Sequence, residues 1–282
     1  MAIATGSLIT AADYNALATL INKVYADIYS GATPTTNATT NANYKFGWGG
    51  PSVAAIASRA GFEFIMVDTE HVVHNEETLT NFLLIARKNG LAPWVTVISP
   101  ERSSVSRMLD AGALGIVLSH ADTAEQVEDL VRWCKYAPEG ERGLALGANA
   151  NYENSDVAAY CKEANESVLV IPKIESIRGI QNIDSIVAVK EIDGIVFGPG
   201  DLAATMGLHG QWEHPDVLAA METAIAAARA RGIATEPAIM PKDKAEFERH
   251  RNQGHQIFGC TRQSEYNLLQ AAADRAMEPY TQ

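Results

Sequence analysis

The chain has 282 residues, 47% hydrophobic and 20% charged, enough for one large buried core and one principal domain. Its formal charge of -12, without any cluster of Lys and Arg, argues against nucleic acid as a partner, because phosphate binding draws its affinity from grouped cations. No segment approaches the roughly 18 to 20 apolar residues that span a bilayer, so no membrane partner is expected either.

At the N-terminus no basic segment precedes an apolar run, which predicts a soluble, cytoplasmic protein. Residues 10–29 place Leu17, Leu20, Ile21, Val24 and Ile28 at helical spacing behind Thr10, a suitable N-cap. The following stretch, 30–44, is rich in Thr, Asn, Ala and Gly and reads as a linker or surface arm. The expected division is an N-terminal helix and linker over 1–42 and a catalytic domain over 43–282. Asn37-Ala38-Thr39 is a glycosylation sequon with no secretion signal to make it meaningful. Cys134, Cys161 and Cys260 are far apart and in no metal-type spacing, so they read as reduced thiols.

From residue 43 short apolar runs alternate with amphipathic stretches. The runs are YKFGW (44–48), FIMVD (64–68), WVTV (94–97), LGIVL (114–118), VLVIPK (168–173), GIVFG (194–198), ATEPAI (234–239) and QIFGC (256–260). Between them lie PSVAAIASRAG, EETLTNFLLIARKNG, SSVSRMLDAG, TAEQVEDLVRWCKYA and HPDVLAAMETAIAAARARG, several closed by a glycine. Eight alternating units predict an α/β fold, a (β/α)8 TIM barrel preceded by an atypical helix and linker. A doubly wound open sheet competes, although no GxGxxG follows an early strand.

Barrel chemistry sits where strands end. Four strand ends carry polar residues: VDTEH (67–71), SHAD (119–122), PKIES (172–176) and FGPGD (197–201). Lys173 and Glu175 are two apart on one strand and share a face. Asp201 opens a short helix after GPG. Two carboxylates from neighbouring strands suit a hard divalent cation such as Mg2+ or Mn2+. In the plainer alternative Glu175 pairs with Lys173 as a buried ion pair and Asp201 only caps its helix. Asp68, Glu70 and His71 end the second strand, where a histidine held by a carboxylate is a serviceable general base. A polar loop with a solvated histidine is the other reading. His74 is expected to face solvent, and His120 either lines the mouth or satisfies loop carbonyls.

Taken in order, PSVAAIASRAGFEFIMVDTEH, MLDAGALGIVLSHADTAEQ, ERG (141–143), VIPKIES and IDGIVFGPGDLAATMGLHG resemble the HpcH/HpaI family of metal-dependent pyruvate aldolases, which has oxaloacetate-decarboxylating relatives in fungi. The resemblance runs from about residue 51 to the C-terminus. It implies that Glu175 and Asp201 bind a divalent metal (Mg2+, Mn2+ or Co2+). Gly198, Gly200 and Asp201 would cradle the carboxylate of a 2-oxo acid, and Asp68 with His71 would form the base dyad, with Glu70 behind it. The implied reaction is aldol cleavage or condensation of 4-hydroxy-2-oxo acids through the enolate of pyruvate, a lyase chemistry with an aldehyde as second partner. Decarboxylation of oxaloacetate would pass through the same enolate.

The chain departs from that pattern in places. Thr96 stands at the third-strand end where the family carries an arginine for the substrate's keto oxygen, and neither Arg102 nor Arg107 is an obvious replacement. Lys173 replaces a glutamine; it either restores the missing charge or, with a lowered pKa, acts as a base or Schiff-base nucleophile. These changes point to an altered substrate. Residues 9–31 are faintly similar to the start of small phage virion proteins, which raises a second reading: a non-catalytic barrel scaffold with an N-terminal assembly segment. The family resemblance also implies a homo-oligomer, often hexameric.

Overall fold

The structure, a computed structural model, describes residues 41–43, 45–46, 51–152, 156–259 and 265–278. The helix expected over 10–29 and the expected linker up to residue 40 lie outside the described residues, as does Cys260. In chain order the elements are β1 (Asn41–Asn43), β2 (Lys45–Phe46), α1 (Pro51–Ala60), β3 (Phe64–Val67), α2 (Glu76–Lys88), β4 (Ala92–Val97), α3 (Arg102–Asp110), β5 (Gly115–Leu118) and α4 (Ala124–Cys134). A 3-10 turn (Ala148–Ala150) follows, then α5 (Val157–Ser167), β6 (Leu169–Ile174), α6 (Ile177–Gln181), α7 (Ile183–Ile186), β7 (Gly194–Phe197) and α8 (Pro199–Thr205). The chain continues through α9 (Pro215–Arg229), β8 (Ala234–Thr235), α10 (Lys244–Asn252), β9 (Ile257–Gly259) and α11 (Glu265–Met277).

All strand pairs are parallel, and a seven-stranded sheet runs in the order β2-β3-β4-β5-β6-β7-β8. Its curl is visible in the pairings at its two edges: β1, two residues before β2, pairs with β9, while the Gln256 N–H before β9 donates to the Thr235 carbonyl of β8. An open doubly wound sheet keeps its outer strands apart; here they are joined through β9, in a TIM-barrel-like arrangement. The first strand segment begins at Asn41, inside the span assigned from sequence to the linker.

Parallel strands covered on both sides read as continuous apolar runs, and the period of two sorts their residues into two layers. Ile65, Val67, Val95, Ile116, Leu118, Val170 and Ile195 pack outward under the helices. Phe64, Met66, Trp94, Val117, Ile171, Val196 and Ile257 form a separate inner cluster that fills the centre. Phe64 stacks on Trp94 with ring centroids 3.8 Å apart. Gly115 faces that stack, where an added Cβ would come within 2.7 Å of the indole.

The helices start where side chains satisfy the free amides of a first turn. Asn75 accepts from the N–H groups of Glu77 and Thr78 at α2, and Thr123 with Gln126 forms a capping box at α4. The strand expected over 234–239 shortens to Ala234–Thr235, since Pro237 has no N–H to give a ladder. No helix among the described residues is long and apolar enough to cross a membrane.

Candidate active site

The same alternation that fills the centre with apolar side chains puts polar ones above it. Two residues beyond the inner-layer Met66, Trp94, Val117 and Ile171 come Asp68, Thr96, Ser119 and Lys173, with Glu175 two further on and Glu236 two beyond Ala234. All six are buried. Buried polar groups persist only when paired, and these are paired mostly with one another or with loop backbone.

At the centre stands Lys173. Its ammonium lies 2.6 Å from Glu175 Oε2 and 3.3 Å from Glu70 Oε2. The Ser119 hydroxyl donates to the same Glu70 oxygen at 2.6 Å, and the His120 N–H donates to Glu175 Oε1 at 2.7 Å. To aim that N–H at the carboxylate, His120 adopts φ 48, a left-handed conformation costly for a residue with a Cβ and characteristic of functional sites. Burial works against the Lys173 ammonium, but the two carboxylates outweigh it and hold its pKa above the ordinary lysine value. Burial likewise opposes the charge on Glu70, yet Ser119 and Lys173 win and keep its carboxyl below the usual range. For Glu175 burial prevails over Lys173 and the His120 N–H, and its carboxyl is pushed up.

Sequence reading placed Glu70 behind the dyad of Asp68 and His71; all three follow the end of β3. Asp68 Oδ1 accepts the backbone N–H groups of Glu70 and His71, each at 3.0 Å, and so shapes the turn. Glu70 Oε2 lies 3.6 Å from His71 Nε2. His74, expected to face solvent, is half-buried and donates from Nε2 to the Asp68 carbonyl at 2.9 Å.

Thr96, expected at the substrate, is buried, with its hydroxyl accepting from the Thr69 N–H at 2.8 Å and facing the Val67 carbonyl at 3.3 Å. A short hydroxyl is consumed by the backbone beside it; here Thr96 holds the start of the 69–74 loop. Arg107 pairs with Glu76, and Arg102 lies 6.0 Å over the Trp133 ring, so neither lines the cavity described next.

A cavity of about 580 Å3 opens over this cluster, lined among others by His71, Lys173, Gly198, Gly200, Asp201 and Trp212. Asp201 lies in the first turn of α8, half-buried. Gly198 is required by packing: an added Cβ would meet the Glu175 side chain, its Cβ at 2.8 Å. Gly200 meets no such obstacle and is open to the cavity. Sequence reasoning marked the SHAD strand end without giving Ser119 a role, and passed over Glu236 and Trp212. Period-two counting from Val117 and Ala234 would have found Ser119 and Glu236.

The donors suit a divalent ion. Glu70, His120 and Glu175 each offer a ligand atom, all within 4.8 Å of one another. Glu175 Oε2 is buried and, although ion-paired, accepts no well-directed hydrogen bond. Asp201, expected to share the ion with Glu175, lies on the same cavity but outside that close group of three.

The family model described as HpcH/HpaI aldolase/citrate lyase matches residues 49–263. A hydroxypyruvate/pyruvate aldolase of Pseudomonas aeruginosa is 34% identical over 185 residues, covering 65% of this chain and 69% of the relative. A 5-keto-4-deoxy-D-glucarate aldolase of Salmonella arizonae is 35% identical over 182 residues, 64% of this chain and 71% of the relative. The crystal structure of an HpcH/HpaI aldolase from Desulfitobacterium hafniense superposes with a TM-score of 0.78 at 26% identity, covering 86% of this chain and 93% of that one.

Proposed function

The chain belongs to the HpcH/HpaI aldolase/citrate lyase family and is a metal-dependent lyase of the aldolase type; on that premise we propose that it cleaves 4-hydroxy-2-oxo acids to pyruvate and an aldehyde. The observation that carries this reading is the cluster of buried Lys173 and Glu175 with half-buried Glu70 under a cavity shared with His71 and Asp201.

Glu175 and Asp201 would hold the ion, with Glu70 and His120 close enough to Glu175 to assist. Mg2+, Mn2+ and Co2+ all accept such oxygen-rich donors. A cation held there would supply positive charge to the oxygens of the substrate. The backbone of Gly198, Gly200 and Asp201 receives the carboxylate. His71 takes the proton of the C4 hydroxyl; the C3–C4 bond breaks, C4 leaves as the aldehyde, and the electron pair moves toward the C2 oxygen. Lys173 faces that developing charge. It takes over the work of a cation at position 96, where Thr96 is uncharged and turned to the loop. Protonation at C3 then gives pyruvate. We further propose a cytoplasmic location, with which the buried thiol of Cys134 accords, and, on the family resemblance alone, a homo-oligomer.

Pyruvate release from a panel of 4-hydroxy-2-oxo acids, with carbon dioxide release from oxaloacetate alongside, tests the reading in the presence of each metal. Turnover is expected to vanish in chelator and to fall at least ~100-fold in Glu175→Gln and Asp201→Asn. Full turnover in chelator would sink the metal assignment.

A further inference from the structure

Glu175 has two oxygens, and only one is open to choice. Oε1 is fixed by the His120 N–H at 2.7 Å, which leaves Oε2, buried and without a well-directed hydrogen bond, as the atom free to bind a cation. That atom already faces one: Lys173 Nζ stands 2.6 Å away and 3.3 Å from Glu70 Oε2. Glu70 is in turn one of the three donors grouped closely enough to hold an ion. The ammonium therefore draws on oxygens from two of those three donors, and its own exposure is slight.

We propose that Lys173 is a resident counter-cation of the carboxylate pair that competes with the divalent ion: it keeps Glu70 and Glu175 together before the ion binds and must leave Glu175 Oε2 for the ion to enter. Two cations cannot share the same oxygen at contact distance in a buried site without strong repulsion. A lysine stem can swing, and its other partner, Glu70 Oε2, together with the cavity that Lys173 lines, offers the ammonium a place to remain. Ion entry and delivery of a positive side chain toward the substrate are then one event. The inference rests on the reading of Glu175 as a metal ligand.

The test is a titration of the full chain with Mn2+, followed by calorimetry and by the spin resonance of the free ion. Wild type, Lys173→Met, Lys173→Gln and Lys173→Arg are compared, with Glu175→Gln as reference. The two neutral variants are expected to bind Mn2+ at least ~10-fold more tightly than wild type, while Lys173→Arg stays within about 3-fold. Should Lys173→Met not fold without an ion, the polar, hydrogen-bonding Lys173→Gln carries the comparison. Neutral variants that bind Mn2+ no more tightly than wild type overturn the proposal and leave the metal reading standing. Unchanged Mn2+ binding in Glu175→Gln, or no binding in any protein, removes the metal reading and the proposal with it.

Discussion

Lys173 and Thr96 show how two departures from a family pattern resolve at the level of single side chains. The ammonium of Lys173 is bracketed by two carboxylates and stays charged, so it is a poor nucleophile at neutral pH. Borohydride added with pyruvate should leave the protein mass unchanged; a covalent adduct at Lys173 would instead assign it an imine role. Ser119 matters for a related reason. Its hydroxyl is a charge-assisted donor to Glu70 Oε2, and Ser119→Ala should lower stability by about 1–2 kcal/mol in urea unfolding. Lys173, Glu175 and Asp201 could be singled out in the sequence because charged residues at strand ends are out of place in a core. Thr96 was legible only as a missing charge. That its hydroxyl serves the 69–74 loop depends on a neighbouring strand, which spacing along one strand does not reveal.

Among the elements, the strands set the site and the helices that cover them carry little chemistry. Alternation along β3 to β6 decides that Met66, Trp94, Val117 and Ile171 fill the centre and that the next inward residues are polar. The expected strand positions agree with the observed ones to within a few residues, the largest difference being β8, where Pro237 ends the ladder. Near β8 and β9, His255 is buried, with Nδ1 3.2 Å from the Thr235 hydroxyl. Burial, then the neighbouring charges of Arg229 and His250, lower its pKa from 6.5 to about 4. Because the folded value lies below the unfolded one, the unfolded chain takes up the proton first. Stability is therefore full above about 6.5 and declines as pH falls toward 4, by an amount on the order of 2 kcal/mol. Urea unfolding between pH 7 and 4 should show this slope in wild type and a weaker one in His255→Gln; equal slopes would show that His255 is not its source.

For the whole molecule, β1, which pairs with β9, is the first strand among the described residues and begins at Asn41. Removing residues 1–40 is accordingly expected to leave turnover intact, whereas removing 1–43 takes away β1 and should cost the fold cooperativity in thermal unfolding. A fall in solution mass on the shorter deletion would support an assembly role for the N-terminal segment; an unchanged mass would remove that role. A net charge of -12 is compatible with an anionic substrate because positive charge is concentrated locally, at Lys173 and at the ion that Glu175 is proposed to hold. The sequence by itself determined the alternation of strands and helices, the polar strand ends and the family, because period, capping residues and ordered motifs are local properties of the chain. Only the tertiary structure decided that Glu70 faces His71 and Lys173, that His120 gives its backbone N–H to Glu175, and that Thr96 turns to the loop. Apart from the Glu70–His71 pair, those contacts join residues that follow different strands, and their distances are set by how the sheet curls, a quantity written in no single segment.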